Sequence, residues 1–275
     1  MKIGLALGGG AVFGFAHIGV IKVLEKEGIR PDIITGTSVG SLIGGLYASG
    51  VSIGEIEDIA EKFNWFEIAR FTLPKQGLVS IDRLVDFVEK HSKCKNIEET
   101  KIKFAAVAVN LLKGEEEIFD SGPMGPAIRA SCSIPGIFTP ALYNNSVYID
   151  GGILNNVPTD IAKKMGADYL IGVDITARAK MDIMKHRDIF NILWKSWQIS
   201  AHQSTSLRSY NEAGVILMPD IREINPFDTS QKKKIIAAGE ESARQHLKVI
   251  SRAVSKKKRS LWGRLKKVFR KEQGN

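Results

Sequence analysis

A serine stands between two glycines in the segment Gly36-Thr37-Ser38-Val39-Gly40, which matches the pattern G-x-S-x-G. A predicted strand precedes this segment, and a predicted helix of small residues follows it. A nucleophilic serine on such a strained turn needs small neighbours, because other backbone passes close to it. The pentapeptide alone is often coincidental, but its position here predicts Ser38 as a nucleophile supported by Gly36 and Gly40.

A glycine-rich loop follows the first predicted strand and contains Gly8, Gly9 and Gly10. Glycines let backbone N–H groups approach a ligand closely, as in nucleotide-binding loops. Both common nucleotide motifs fail on spacing, because Phe13 stands where a dinucleotide fingerprint needs glycine and Phe15 stands where a P-loop needs lysine. Beside a serine elbow, the loop instead predicts an oxyanion hole.

An activated serine needs a base, and the chain has histidines at positions 17, 91, 186, 202 and 246. His202 and His246 fall within predicted helices, and His186 is flanked by charged residues. His17 shares a helical face with apolar residues and is predicted to be a core or supporting residue. No histidine therefore has the placement of a catalytic base on a loop after a strand.

A carboxylate held next to the serine hydroxyl is the alternative base. Asp150 follows a short predicted strand and precedes Gly151 and Gly152, where the backbone can turn sharply. Asp120 and Asp174 also end predicted strands, and an Asp-Gly pair often does no more than make a turn. From the residues alone, all three aspartates remain candidates.

Taken together, these motifs resemble the bacterial patatin-like phospholipases related to the catalytic domain of neuropathy target esterase. The resemblance covers about residues 3–175, and its motifs occur in the order of that family. They are the 8–14 loop with Ala16-His17-Ile18-Gly19, the 36–40 elbow, Ser133-Ile134-Pro135-Gly136 with Phe138 and Pro140, and Asp150-Gly151-Gly152. Any one of these motifs would be weak, whereas the ordered set is specific.

The resemblance implies a Ser38–Asp150 dyad, an oxyanion hole at Gly8, Gly9 and Gly10, and no metal or organic cofactor. The implied activity is hydrolysis of acyl esters, of the phospholipase A or lysophospholipase type. One residue departs from the family, because Phe13 stands where members usually carry arginine or lysine. Two alternatives stay open: a non-catalytic regulatory protein that keeps the fold at a membrane, and an esterase of small or protein-linked acyl esters.

Strand and helix patterns alternate along residues 1–255 and predict one α/β domain, with a mainly parallel sheet between two layers of helices. This is the three-layer patatin-like fold that the resemblance implies. Cys94 and Cys132 form no C-x-x-C pair and are predicted to be reduced core residues. No spacing of histidine, cysteine and aspartate suggests a metal site.

The basic charge of the chain is concentrated in residues 256–275, which carry nine Lys or Arg and one Glu and so hold +8 of the net +9. This segment is predicted to be a separate basic tail, and nucleic-acid binding is not expected, because residues 1–255 are almost neutral. Apolar residues recur on one helical stripe of the tail with cations opposite, which is typical of a helix lying on anionic lipid. We expect a peripheral protein on the cytoplasmic face of the inner membrane. The residues predicted to contact lipid are Lys257, Arg259, Trp262, Lys266, Lys267, Phe269 and Arg270.

Overall fold

An eight-stranded sheet lies at the centre of the part of the chain that the computed structural model describes, residues 1–71, 77–178, 188–222 and 224–272. Side chains are not described at residues 65, 66 and 256–272. The strands are β1 (Ile3–Leu7), β2 (Ile33–Thr37), β3 (Arg70–Phe71), β4 (Val79–Ser80), β5 (Lys103–Asn110), β6 (Glu115–Phe119), β7 (Ala141–Tyr143), β8 (Ser146–Asp150), β9 (Tyr169–Val173) and β10 (Val215–Leu217). In the large sheet the order is β10-β9-β1-β2-β5-β8-β7, and β6 also pairs with β5. The first five strands are parallel, whereas β6, β7 and β8 add antiparallel pairs, and β3 pairs with β4 in a separate small sheet.

Helices cover both faces of the large sheet. They are α1 (Phe15–Lys26), α2 (Val39–Ser49), α3 (Ile53–Lys62), α4 (Trp65–Ile68), α5 (Leu84–His91), α6 (Met124–Ser131), α7 (Thr159–Lys164), α8 (Ile189–Arg208) and α9 (Lys232–Glu272). Side chains alternate across a strand, so Leu5 and Ile34 pack into the main core with α1 and α2. Ile33 and Leu170 point to the opposite face, where they pack against Ala162 of α7. The predicted three-layer arrangement is confirmed.

The element boundaries agree best with the sequence around the catalytic motifs. The sequence predicts a strand over residues 3–7, a helix over 39–49 and a capping box at Ser52 and Glu55, and β1, α2 and the start of α3 agree with these predictions. The sequence pattern also predicts a strand over residues 31–35, but β2 begins two residues later, since Pro31 has no N–H to donate to a neighbouring strand. Asp32 lies just before β2, where its N–H donates to the carbonyl of Ile3 and its Oδ2 accepts the N–H of Ile3. The sequence pattern further predicts a helix over about residues 182–210. Helix α8 is described from Ile189 onward, and residues 179–187, including His186, lie outside the described residues.

Candidate active site

Ser38 lies on a strained turn between β2 and α2. Its backbone has φ 55° and ψ −130°, a conformation that a residue with a side chain rarely adopts. Only glycine fits at Gly40, because a Cβ there would lie 2.1 Å from the carbonyl oxygen of Leu7. Ser131 holds the turn, since its hydroxyl accepts the N–H of Ser38 at 2.8 Å and donates to the carbonyl of Val107 at 2.6 Å. Strain that the surroundings enforce in this way is typical of functional sites.

Strand register brings Asp150 next to this turn. Thr37 of β2 pairs with Val107 of β5, and the next residue of β5, Ala108, pairs with Asp150 at the end of β8. Ser38 and Asp150 therefore flank the same residue of β5 from opposite sides. The register places Asp150 there, because β8 pairs with β5 over three residues only and ends at Ala108.

The carboxylate of Asp150 is buried, and two N–H groups donate hydrogen bonds to the same one of its oxygens. Its Oδ1 accepts the N–H of Gly152 at 2.8 Å and the indole N–H of Trp197 at 3.2 Å. Burial raises the pKa of Asp150 to about 7, and hydrogen bonding from Ser38, Gly152 and Trp197 opposes this rise. The Ser38 hydroxyl lies beside the carboxylate, although Oδ2 accepts no hydrogen bond of normal geometry. A base with a pKa near 7 is ionised in about half of the molecules at neutral pH.

The glycine loop after β1 passes directly over Ser38. A Cβ added at Gly9 would lie 2.9 Å from the Cβ of Ser38, so the close approach requires glycine. The N–H of Gly8 donates to Val173 at 3.0 Å, and the N–H of Gly9 donates to Asn156 Oδ1 at 3.0 Å. Of the three predicted oxyanion donors, Gly10 alone has an N–H that donates to no partner within the described residues.

His17 contacts the backbone of the glycine loop through a hydrogen bond. Its ring is buried, and Nε2 lies 2.8 Å from the carbonyl oxygen of Gly8, so a proton on Nε2 donates to that oxygen. Burial lowers the pKa of His17 to about 4, which keeps the ring neutral at physiological pH. The structure therefore agrees with the supporting role expected for His17 and gives it no contact with Ser38.

An apolar cavity of about 90 Å³ is lined in part by Ser38. It runs along one stripe of α2 that comprises Val39, Leu42, Ile43 and Leu46. At 1.5 Å per residue, the stripe extends about 12 Å from Ser38. No charged side chain lines it in the part of the chain that the structure describes.

The family model for patatin-like phospholipases matches residues 5–163. This match covers more than half of the chain and contains the serine elbow, the glycine loop and Asp150. The chain belongs to the patatin-like phospholipase family. It is 33% identical over 198 residues to the lysophospholipase NTE1 of the yeast Scheffersomyces stipitis, a match that covers 70% of this chain and 13% of that protein. A patatin-like phospholipase domain-containing protein of Caenorhabditis elegans is 32% identical over 200 residues, which cover 70% of this chain and 15% of the relative.

The patatin-like fold also agrees with a solved structure. VipD from Legionella pneumophila superposes with a TM-score of 0.62 over 90% of this chain and 67% of VipD, at 13% sequence identity. The curated relatives are much longer than this chain, which spans about one seventh of their length. The comparisons therefore establish the family and the fold.

Two residues of the patatin-like site carry no signal in the sequence. Trp197 lies within α8, 47 residues after Asp150, and its N–H reaches the carboxylate because α8 packs over residues 151–153. Asn156 links the Asp150 segment to the glycine loop through its bond to Gly9. Neither residue forms part of a recognisable spacing, and the position of Asn156 shortly after Asp-Gly-Gly is the one signal in the sequence for its role.

Phe13 occupies the position where the family resemblance leads us to expect a cation. Its side chain is 1% exposed and packs edge-on against Trp194, with ring centroids 6.1 Å apart. Trp194 stacks in turn on Trp197 at 4.9 Å. An aromatic series thus connects Phe13 to the residue that bonds Asp150.

Of the two predicted core cysteines, Cys132 lies beside this site and Cys94 does not line its cavity. Cys132 is buried and lines the cavity, Cys94 is half-buried, and both are free thiols.

Helix α9 continues through residue 255 to Glu272, but the tail side chains predicted to contact lipid lie outside the described residues. Among described residues, no three potential metal ligands of the His, Cys, Asp and Glu types cluster together. Over the same residues, no helix combines the length and apolarity needed to cross a membrane.

Proposed function

We propose that this chain is a serine acyl-ester hydrolase of the phospholipase A or lysophospholipase type. One observation carries the proposal: a serine on a strained turn lies beside a buried carboxylate and lines an apolar cavity. Either group alone has many structural explanations. A nucleophile, a base and a binding cavity that converge at one point are the parts that acyl transfer needs.

In the first step, Ser38 Oγ attacks the ester carbonyl carbon while its proton passes to Oδ2 of Asp150, the oxygen that accepts no hydrogen bond. The tetrahedral intermediate collapses, the ester C–O bond breaks, and Asp150 returns the proton to the leaving alcohol. Water then attacks the acyl-enzyme, giving its proton to Asp150. That proton returns to Ser38 Oγ as the fatty acid leaves. One residue thus serves as base and acid in turn.

The oxyanion of each intermediate needs N–H donors that are otherwise unused. The N–H groups of Gly10 and Val39 donate to no partner within the described residues, and Val39 immediately follows the nucleophile. A donor after the nucleophile together with one from a neighbouring loop is the arrangement that elbow hydrolases use. Gly8 and Gly9 then shape the loop, with Gly9 available as a donor if Asn156 releases it.

The nature of the cavity supports an acyl lipid as the substrate. Its lining is apolar and follows α2 for about 12 Å, which suits a hydrocarbon chain lying along that helix. Some of the similar proteins are named lysophospholipases, which supports the same substrate class for this chain. The alternative of a small-ester hydrolase does not explain why an apolar cavity leads away from the serine.

The test is labelling by a fluorophosphonate probe, which reacts only with an activated serine. We expect the natural chain to be labelled, and Ser38→Ala and Asp150→Asn to lose labelling while remaining folded. Asp120→Asn serves as the matched control, because Asp120 also follows a strand but lies exposed on the surface. Labelling that persists in Ser38→Ala would disprove the assignment. A folded natural chain that is never labelled would favour the non-catalytic alternative.

We also propose that the basic segment 256–275 holds the domain 1–255 on the cytoplasmic face of an anionic membrane. The support is the sequence stripe of apolar residues opposite cations, since each cation near such a surface contributes about 1 kcal/mol. Deleting residues 256–275 should abolish co-sedimentation with vesicles that contain anionic lipid, without affecting hydrolysis of a short soluble ester. Unchanged co-sedimentation of the truncated chain would refute the proposal.

A further inference from the structure

The side chain of Asn156 is fully buried and makes one hydrogen bond within the described part of the chain. Its Oδ1 accepts the N–H of Gly9 at 3.0 Å, whereas its Nδ2 has no partner there. Because an N–H group can only donate, the oxygen must face Gly9 and the amino group must point elsewhere. A buried donor without a partner destabilises a fold. The amide is therefore oriented for the glycine loop, although its own amino group stays unpaired.

This amide fills a gap between the two segments that carry the oxyanion donor and the base. Its Oδ1 lies 2.8 Å from the position of a Cβ at Gly9 and 3.0 Å from that of a Cβ at Gly152, so glycine at both positions leaves room for it. The N–H of Gly152 donates to Asp150, and Gly9 directly precedes Gly10, a proposed oxyanion donor. The amide thus sets the separation between the two segments.

The backbone around Asn156 is anchored close to the nucleophile. The carbonyl of Asn155 accepts the hydroxyl of Thr37 at 2.8 Å, and Thr37 directly precedes Ser38. The N–H of Asn156 donates to the hydroxyl of Ser204 in α8 at 3.3 Å. Both partners are buried, so the place of the amide relative to Ser38 is fixed. The bond from its oxygen transmits that place to the glycine loop.

The direction of the free N–H of Gly10 depends on this bond. The N–H of Gly8 donates to Val173, and the carbonyl of Gly8 faces His17, so the loop is fixed up to that residue. The N–H of Gly9 is held by Asn156, and the peptide that carries the N–H of Gly10 begins at the same Gly9. Glycine torsions are soft, so without the acceptor these two peptides can rotate and turn the second donor away from Ser38.

We propose that Asn156 is a positioning residue for the oxyanion hole. It holds the N–H of Gly9 so that the N–H of Gly10 faces the oxyanion that forms on attack by Ser38. The inference rests on the proposed function and adds to it a residue that bonds neither the substrate nor the dyad. A donor that acts on the oxyanion stabilises the transition state more than the bound ester. Loss of the Asn156 oxygen therefore lowers kcat and leaves KM nearly unchanged.

The experiment compares turnover of a soluble acyl ester with inhibition by an alkylboronic acid, which forms a tetrahedral adduct on an activated serine and imitates the oxyanion intermediate. Asn156→Leu removes the acceptor at similar volume, and Asn156→Ala is the second variant in case leucine disturbs folding. In the variant that folds by circular dichroism, we expect kcat to fall by about 10²-fold and the inhibition constant to rise by a similar factor. We expect KM to change by less than about threefold.

Asn155→Ala is the matched control. Asn155 is equally buried in the same segment, but its side chain donates to Glu116 and Asp160 and makes no contact with the glycine loop. We expect its kcat, KM and inhibition constant, measured per folded molecule, to stay within about threefold of the natural values, because the oxygen that faces Gly9 is untouched.

The outcomes separate this role from a merely structural one and from the proposed function. A structural role lowers the folded fraction, and hence the apparent kcat, but leaves the inhibition constant unchanged, and that result would overturn the inference. An unchanged kcat in a folded Asn156 variant would overturn it too, as would equal losses in the Asn155 control. A higher kcat would show instead that Asn156 withholds the N–H of Gly9 from the oxyanion. A folded natural chain that neither hydrolyses the ester nor binds the boronic acid contradicts the proposed function and, with it, this role.

Discussion

The hydrogen bond from Trp197 to Asp150 makes the pH dependence of hydrolysis a direct test of the proposed mechanism. Asp150 acts as a base only when ionised, and its pKa of about 7 places the rise of kcat/KM near neutral pH. Trp197 donates to Oδ1 at 3.2 Å and thereby favours the ionised form. Trp197→Phe keeps an aromatic ring in the stack and removes the donor, so it should raise the pKa further.

The size of this change follows from the strength of the bond. A hydrogen bond to a charged group contributes about 1.5–3 kcal/mol, and 1.36 kcal/mol corresponds to one pH unit. If water recovers part of the loss, the midpoint of the pH profile moves up by about one unit. The ionised fraction at pH 7 then falls from about a half to about a tenth, a fivefold loss in kcat/KM. At pH 9 the variant should approach the natural activity.

The assay is kcat/KM against a soluble acyl ester from pH 5 to pH 9.5. Trp194→Phe is the matched control, because Trp194 belongs to the same stack but does not bond Asp150. We expect its midpoint to stay at the natural value. A Trp197→Phe profile that is lowered equally at all pH values, with an unchanged midpoint, would show that Trp197 only packs and that the reasoning is wrong.

Three further predictions concern the residues around the dyad. Gly9→Ala should lower kcat by a factor of about 10²–10³, with folding retained by circular dichroism, because its Cβ would lie 2.9 Å from that of Ser38 and displace the oxyanion loop. Asp150→Asn should stabilise the chain above pH 7 by up to about 4 kcal/mol in urea unfolding, and less at pH 5. The folded pKa of about 7 lies above the ordinary 3.8, so the natural chain loses stability as the pH rises between these values. His17→Gln should flatten the opposite slope, since the folded pKa of about 4 lies below the ordinary 6.5 and up to about 3 kcal/mol of stability is lost as the pH falls between them. Unfolding profiles that keep the natural slope in the Asp150 or His17 variant, or a fully active Gly9 variant, would contradict these assignments.

The parts of the fold near Ser38 were predictable because short stretches of sequence favour the same structure there that the whole fold requires. An apolar run and a run of small residues specify β1 and α2 locally, whereas β2 begins two residues later than its pattern indicates. The capping box at Ser52 is equally local, since both of its bonds join residues three apart. Positions of this kind depend on interactions within a few residues, which the sequence displays directly.

The sequence could not decide which of the three aspartates that follow strands lies beside Ser38, because this depends on how strands distant in the sequence pair with one another. Asp150, Asp120 and Asp174 all follow strands, but only the register of β8 against β5 sets one of them beside Ser38. Asp174 instead accepts from Thr176 and from Tyr210, and Asp120 lies on the surface. Strand β8 pairs with β5 on one edge and with β7 on the other, and the sequence pattern did not reveal β7. Periodicity describes a strand but does not determine its neighbour or its direction.

The aromatic series explains why position 13 should not be judged as an isolated departure from the family. Phe13 is 1% exposed against Trp194, so Phe13→Arg would bury a guanidinium that has no carboxylate beside it in the described structure. We expect the substitution to destabilise the chain by about 3 kcal/mol or more in urea unfolding and to reduce labelling of Ser38, because the displaced stack no longer holds Trp197 against Asp150. Phe13→Leu, which keeps the site apolar, should lose less stability and retain labelling. An arginine variant with unchanged stability and higher activity would show instead that the site accommodates the family cation. The residue that suits position 13 therefore depends on Trp194 and Trp197, more than 180 positions later in the chain, and a family pattern limited to the motif cannot express that dependence.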